Sequence, residues 1–98
     1  MSWASSYIAQ LKNGQTVTFR PRGYSMEPRV KSGALCTVRP AGVADVEVDD
    51  VVLCRVAGGD YLHLVKAKSS DGKVLIGNNR GHVNGWSRNV YGVLVKTE

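Results

Sequence analysis

The stretch VEVDDVVLCRVAGGDYLHLVKA, residues 46–67, contains two apolar runs separated by Gly58-Gly59-Asp60. Both runs are rich in valine, leucine and aromatic residues, which are enriched in β-strands. A short glycine-containing segment between two such runs is typical of a β-hairpin. The stretch therefore predicts two neighbouring antiparallel strands.

The rest of the chain extends this pattern in both directions. Ser70-Asp71-Gly72 predicts the turn of a second hairpin, directly after the first. The other β-prone segments are TVTFR, ALCTVRP, KVLIGN and NVYGVLVKT. We therefore predict a mainly β protein of short antiparallel strands, with a β core over about residues 15–96.

The N-terminal segment has a different periodicity. Trp3, Tyr7, Ile8 and Leu11 recur at the spacing of one face of an α-helix, and Asn13-Gly14 is a stop signal. This predicts one short amphipathic helix at about residues 3–12. The sequence has no internal repeat and no linker, so we predict a single domain over residues 1–98.

Composition excludes several classes of protein. The chain has 98 residues, of which 43% are hydrophobic and 21% are charged, and no run approaches the length of about 18 apolar residues that a membrane span needs. No secretory leader is recognisable, so a soluble, cytoplasmic protein is expected. Cys36 and Cys54 lie in apolar strand-like runs and are expected in the core. We predict no metal, disulfide or cofactor.

The net charge of +5 is unevenly distributed along the chain. Basic residues dominate the first forty positions, whereas acidic residues cluster at positions 45–50. A basic face attracts either nucleic acid or an acidic protein, but it is more often a solvated surface. No aromatic or glycine-rich recognition motif accompanies the charge, so nucleic-acid binding is the weaker interpretation.

Three features of the sequence could carry chemistry. They are Ser25 in the turn GYSMEPRVKSG, His63 in the strand YLHLVKA, and His82 in the polar stretch GNNRGHVNGW. Serine becomes a nucleophile when a neighbouring base accepts its proton, and histidine is a common base. Without further information, each has a structural alternative: Ser25 as a turn residue, His63 as a half-buried core residue, and GNNRGHVNGW as an exposed loop.

The order of the segments resembles the superfamily that contains type I signal peptidases and the self-cleaving domains of LexA-type repressors. Ser25-Met26-Glu27-Pro28, followed by Gly33, resembles its Ser-Met-x-Pro box. Asp49-Asp50-Val51-Val52 resembles its Gly-Asp-x-Val box, with Asp49 in place of glycine. The strand YLHLVKA then aligns with the strand of the general base, and His63 falls on the position of the catalytic lysine in LexA-type proteins.

This resemblance implies a coiled β fold of the LexA and signal-peptidase type and a catalytic dyad of Ser25 and His63. Signal peptidases of the endoplasmic-reticulum and archaeal kind are similar and use Ser and His. Gly23, Tyr24 and Met26 are then expected around the oxyanion site and substrate groove. Alternation along the strand places Lys66 on the face opposite His63, which argues against Lys66 as the base.

Two positions depart from the pattern of the superfamily. Asn78 replaces the aspartate of its Gly-Asp-Asn box, and Asn84-Gly85 stand where the histidine-type enzymes carry one or two aspartates. We therefore expect a soluble serine endopeptidase-like protein that cleaves or binds a polypeptide segment. The alternatives are a non-catalytic relative that binds a host or regulatory protein, of phage or mobile-element origin, and a nucleic-acid-binding module. The sequence does not assign an oligomeric state.

Overall fold

The computed structural model describes residues 2–98, and over these residues the protein is mainly β. Seven strands form one antiparallel sheet, and one α-helix precedes them. The helix is α1 (Ser5–Lys12), and the strands are β1 (Val17–Phe19), β2 (Cys36–Pro40), β3 (Val51–Val56), β4 (Gly59–Lys68), β5 (Val74–Gly77), β6 (Val83–Ser87) and β7 (Asn89–Thr97). A single turn of 3-10 helix spans Val43–Asp45. The mainly β class with a short N-terminal helix is thus confirmed.

The strand order across the sheet is β1-β2-β7-β3-β4-β5-β6. Both predicted hairpins are present, because β3 pairs with β4 and β4 pairs with β5, each antiparallel. In the first hairpin Val56 pairs with Gly59, so the turn consists of Ala57 and Gly58 rather than the predicted Gly58-Gly59-Asp60. Their φ angles of 49° and 80° are both positive, as a tight hairpin turn requires. The chain order places β7 in the middle of the sheet, between β2 and β3.

The structure differs from the prediction in three segments. Helix α1 begins at Ser5 rather than Trp3. Strand β3 begins only at Val51, because Asp49 has a φ of 78° and the Asp50 carboxylate accepts a hydrogen bond from the Glu47 amide, which makes a turn of this segment. The stretch GNNRGHVNGW is partly a strand, β6, where an exposed loop was the structural alternative.

Two hydrophobic clusters pack on the sheet. Helix α1 covers the first cluster with Ile8 and Leu11, and Leu62 and Leu64 of β4 belong to the same cluster. The second contains Val65 of β4, packed with residues of β3, β5 and β7. Residues of β4 thus alternate between the two clusters, as the sequence predicts. Cys36 and Cys54 are both fully buried free thiols, one in each cluster.

The sheet is irregular, and this brings distant strands together. Register shifts interrupt the pairing of β2 with β7, β3 with β7, β4 with β5 and β5 with β6. Such bulges bend strands and increase their twist. The edge strand β6 thereby approaches β3, and the Ser87 hydroxyl donates a hydrogen bond to the Arg55 carbonyl. Among residues 2–98 no helix is long and apolar enough to cross a membrane.

Candidate active site

Ser25 lies in the long connection between β1 and β2, residues 20–35, which we call the serine loop. Two hydrogen bonds close the base of this loop: the Gly33 amide donates to the Pro21 carbonyl at 2.7 Å, and the Gly23 amide donates to Ser32 Oγ at 3.0 Å. Gly23 has a φ of 120°, a conformation that side chains other than hydrogen rarely adopt. The loop is therefore a defined turn around Ser25 rather than an open excursion.

Met26 and Val30 hold the serine loop against the protein. Each is 4% exposed and belongs to the first hydrophobic cluster, beneath helix α1 and strand β1. The Val30 amide also donates to the Met26 carbonyl at 3.0 Å, which makes one helical turn of this segment. Because the residue next to Ser25 is buried, the hydroxyl is fixed at the edge of the core.

A second loop binds the serine loop from the other side. It joins β5 to β6, comprises residues 78–82, and is called the asparagine loop here. The Asn79 amide donates to the Ser25 carbonyl at 2.9 Å, and Asn79 Nδ2 donates to the Glu27 carbonyl at 3.0 Å. Arg80 Nε donates to the Tyr24 carbonyl at 2.9 Å. Two residues of the asparagine loop thus bind three backbone carbonyls next to the serine hydroxyl, those of Tyr24, Ser25 and Glu27.

Asn78 organises the asparagine loop itself. Its Oδ1 accepts hydrogen bonds from the amides of Arg80 and His82 at 2.8 and 2.9 Å, and its own amide donates to the His82 carbonyl at 2.9 Å. The side chain at this position therefore shapes the loop that carries Asn79. The side chain of His82 is exposed, as the loop interpretation predicts.

Ser25 and His63 lie side by side, although 38 residues separate them in the chain. Ser25 Oγ is 3.2 Å from His63 Nε2. His63 lies in β4, opposite Val52 of β3, and its side chain is 7% exposed. The Tyr61 ring stacks on the imidazole at a centroid distance of 4.8 Å. The imidazole, and not the ammonium group of Lys66, is thus the group that contacts the serine hydroxyl.

The other ring nitrogen of His63 contacts Asn84. Asn84 Oδ1 lies 2.8 Å from His63 Nδ1. Along the β5–β6 ladder Ile76 pairs with Gly85 and Gly77 with Val83, so Asn84 is the extra residue of a bulge. Bulges commonly re-aim a side chain next to an active site. Asn84 is one of the two positions at which the resemblance leads us to expect an acidic residue. The bulge brings its side-chain amide into contact with the histidine.

These contacts fix the proton on the imidazole. An amide oxygen accepts a hydrogen bond, so with Asn84 Oδ1 at Nδ1 the neutral imidazole carries its hydrogen on Nδ1 and presents Nε2 to Ser25 as an acceptor. Burial lowers the pKa of His63 from its usual value of 6.5, and the hydrogen bond to Asn84 partly opposes this shift. The imidazole is therefore neutral at neutral pH and can accept the serine proton.

The backbone beside Ser25 offers a donor for a developing negative charge. Within residues 2–98 the Ser25 amide donates to no protein acceptor, whereas the neighbouring Gly23 amide is occupied by Ser32. A free amide at the nucleophile is the arrangement that stabilises an oxyanion. The Tyr24 side chain, predicted in the groove, is instead 65% exposed and does not line the cleft described next. Its two neighbours in the chain, Gly23 and Ser25, do line the cleft.

A cleft of about 520 Å³ opens in front of Ser25 and His63. Gly23 and Met26 line it, and so do the aromatic residues Trp3, Tyr7 and Phe19. The Phe19 and Tyr7 rings stack at a centroid distance of 4.7 Å. The charged residues of the lining are Arg20, Arg22, Lys31 and Asp60. The lining of the cleft thus combines apolar and aromatic residues with basic ones.

The two thiols are unsuited to nucleophilic or metal chemistry. Burial raises the pKa of Cys54 to about 12, and the nearby Asp60 carboxylate adds to this shift. Burial also raises the pKa of Cys36. Over the part of the chain that the structure describes, no three His, Cys, Asp or Glu side chains are grouped so that they could hold a metal ion.

The sequence did not point to Asn79 or Arg80, although they are the residues that hold the serine loop. Their hydrogen bonds are made across more than 50 residues to backbone carbonyls, which leave no residue pattern to recognise. Comparison with protein families, with curated proteins and with solved structures found no match to this chain.

Proposed function

We propose that this protein is a serine endopeptidase-like protein in which Ser25 is the nucleophile and His63 the general base. The observation that carries the proposal is the 3.2 Å contact between Ser25 Oγ and His63 Nε2 in an open cleft. A catalytic pair of this kind needs hydrogen-bond contact and a base that is itself oriented by a third group. Asn84 supplies that orientation through the 2.8 Å contact with Nδ1.

The kinship with signal peptidases and LexA-type domains is part of the same proposal. Its support is the Ser-Met-x-Pro box, which here forms the turn that holds Ser25 and Met26. A bulged, strongly coiled antiparallel sheet with the base on an inner strand is the architecture that this kinship implies. A polypeptide is then the expected substrate.

The proposed reaction begins with attack of Ser25 Oγ on the carbonyl carbon of a peptide bond. The hydroxyl proton moves to His63 Nε2, while the Ser25 amide donates to the oxyanion. The imidazolium then returns the proton to the departing amine, the C–N bond breaks, and an acyl-serine remains. A water molecule, deprotonated by His63, hydrolyses this ester and regenerates the hydroxyl.

The direct test is covalent labelling with a fluorophosphonate, read by intact-protein and peptide mass spectrometry. The proposal expects one adduct on Ser25 at mildly alkaline pH, and no adduct with Ser25→Ala. His63→Gln should slow labelling by a factor on the order of 100 or more, since the general base is lost. Ser87→Ala is the control, because Ser87 is a buried serine that donates to the Arg55 carbonyl and does not line the cleft.

A second candidate is a protein that keeps the cleft but does not cleave what it binds. It is favoured by Asn84, because an amide cannot stabilise an imidazolium as a carboxylate does. In this case folded protein would show no adduct on Ser25, and Ser25→Ala would retain full activity in the cell. Charge reversal at Arg20 or Arg22 would abolish that activity, since both line the cleft.

A further inference from the structure

The wall of the cleft next to Ser25 is positively charged. Arg20 and Arg22 follow strand β1 on either side of Pro21, and Lys31 lies on the returning half of the serine loop. All three side chains are exposed residues that line the cleft. They therefore flank Ser25 along the chain on both sides and face the same space.

These three cations have no carboxylate partner within residues 2–98. The ion pairs of the described chain join Arg55 to Asp60, Lys68 to Glu47, Lys73 and Arg88 to Asp71, and Lys96 to Glu98. Arg20 uses one guanidinium nitrogen to donate to the Gly33 carbonyl at 3.0 Å, which holds the side chain at the base of the serine loop. Its other nitrogens, and the whole head groups of Arg22 and Lys31, are available for a ligand.

Asp60 is the one carboxylate among the described residues that line the cleft, and it does not offset this charge. Asp60 lies 2.7 Å from Arg55, and its side chain is 2% exposed. It also accepts a hydrogen bond from the Ser2 hydroxyl, and its backbone carbonyl accepts one from Trp3 Nε1 at 3.3 Å. Asp60 is therefore neutralised and enclosed, and the field within the cleft comes from the three cations. Charges of one sign in a cleft concentrate ligands of the opposite sign.

We propose that this cleft selects peptide segments that carry acidic side chains close to the bond presented to Ser25, and that Arg20, Arg22 and Lys31 bind the carboxylates. The inference depends on the proposed function, and it adds the class of substrate. The aromatic wall of Trp3, Tyr7 and Phe19 then packs against the apolar side chains of the same segment. A peptide fits better than a nucleic acid, because the serine–histidine pair at the cleft faces a carbonyl in a peptide.

The test measures binding separately from cleavage. The probes are two fluorescein-labelled peptides of equal length, one of alternating glutamate and alanine and the other of alternating glutamine and alanine, and the protein is Ser25→Ala. Fluorescence anisotropy should give about tenfold tighter binding of the glutamate peptide, because each exposed ion pair contributes a factor of a few. The difference should shrink as salt is raised to physiological strength and above.

The decisive variant is Arg22→Gln/Lys31→Gln, which removes two charges that form no ion pair within residues 2–98. It should lose about tenfold in affinity for the glutamate peptide and nothing for the glutamine peptide. Arg39→Gln is the matched control, since Arg39 is an exposed arginine of β2 outside the cleft. It should bind both peptides as the parent does.

Failure of this inference is distinguishable from failure of the proposed function. Equal affinity for the two peptides, or equal loss in the Arg39 control, would overturn the acidic preference even if a fluorophosphonate labels Ser25. Absence of labelling would overturn the peptidase while the binding difference could still be measured. A single-stranded oligonucleotide is the competitor. If it displaces the glutamate peptide, binds more tightly than the peptide does, and loses affinity in the double variant to the same extent, the occupant of the cleft is not a peptide.

Discussion

Asn84 Oδ1 lies 2.8 Å from His63 Nδ1, on the ring nitrogen that faces away from Ser25. An amide in this place gives the imidazole the correct tautomer and orientation. It does not supply the negative charge that would stabilise the imidazolium formed during proton transfer. The site is thus arranged for catalysis in its geometry, with weaker electrostatic support than a carboxylate would give.

We therefore expect Asn84→Asp to accelerate acylation of Ser25. In the triad of serine proteases the reverse change costs about 10⁴ in kcat, but part of that loss comes from a wrong tautomer, which is already correct here. The gain should be on the order of 10- to 100-fold in the rate of fluorophosphonate labelling. Because the new carboxylate raises the pKa of His63, labelling should also decline at a higher pH than in the parent protein.

Asn84→Ala is the matched control for this change. It removes the partner of His63 Nδ1 without adding charge, so labelling should become slower than in the parent protein. If the aspartate and alanine variants label at the same rate, Asn84 has no orienting role. The melting temperature of each variant shows whether the fold is retained.

The pH dependence of labelling follows from the state of His63. Its pKa is lowered from 6.5 mainly by burial, so the neutral base persists to lower pH than for an exposed histidine. The labelling rate should fall as the pH drops through this lowered pKa, so the midpoint of the decline should lie below 6.5. Rates measured across this range would contradict the assignment if the decline were centred well above 6.5.

We expect Asn79→Ala to loosen the serine loop. The change removes the hydrogen bond from Nδ2 to the Glu27 carbonyl, which should cost about 1 kcal/mol of unfolding free energy, and it retains the backbone bond to the Ser25 carbonyl. Labelling of Ser25 should slow as well. Asn13→Ala is the control, because Asn13 is an exposed residue at the end of α1. If Asn79→Ala has the same denaturation midpoint and labelling rate as Asn13→Ala, the hydrogen bond from Asn79 to the Glu27 carbonyl does not hold the serine loop.

Met26 should be the most sensitive position of the serine loop for stability. Its side chain is 4% exposed in the first hydrophobic cluster, so Met26→Ala should lower the unfolding free energy by about 2–5 kcal/mol. Met26→Leu preserves most of the volume and should cost less than about 1.5 kcal/mol. Chemical denaturation of both variants separates a buried anchor from an exposed loop residue, for which the two changes would cost equally little.

Asp60 should contribute stability that depends on pH. The hydrogen bond from Arg55 lowers the pKa of Asp60 below 3.8, so the native state binds the proton less readily than the unfolded chain. The contribution is therefore complete above about pH 3.8 and disappears as the pH falls through the lower native pKa. Asp60→Asn should lower the melting temperature at neutral pH. In strong acid the difference in melting temperature between this variant and the parent protein should be smaller. A gap that is the same at both pH values would contradict this role.

Sequence patterns predicted those parts of the fold that follow a regular period. The helix, the hairpin of β3 and β4 and the central strands are regular in this sense. Strand β6 was not recognised, because Val83 and Trp86 are both exposed and Gly85 lies between them with a φ of 136°. An edge strand with a bulge does not show the alternation of a buried strand.

The candidate site was predictable only in part for a related reason. The boxes of the resemblance pointed to Ser25 and His63, and the hydrogen bond between them is a property of the folded chain. The contact of His63 with Asn84 depends on one extra residue in β6, and the anchoring by Asn79 depends on backbone carbonyls. The residue types alone indicate neither the position of the bulge nor the backbone carbonyls that Asn79 binds.

The hydrogen bonds between the serine loop and the asparagine loop connect the two outermost strands of the sheet, because one loop follows β1 and the other precedes β6. These hydrogen bonds join the two edges of the curled sheet, and the Ser25 hydroxyl lies where they meet. Proteolytic cleavage in either loop should consequently stop the labelling of Ser25 while the central strands remain folded. The rate of adduct formation therefore reports whether the two edges of the sheet are joined.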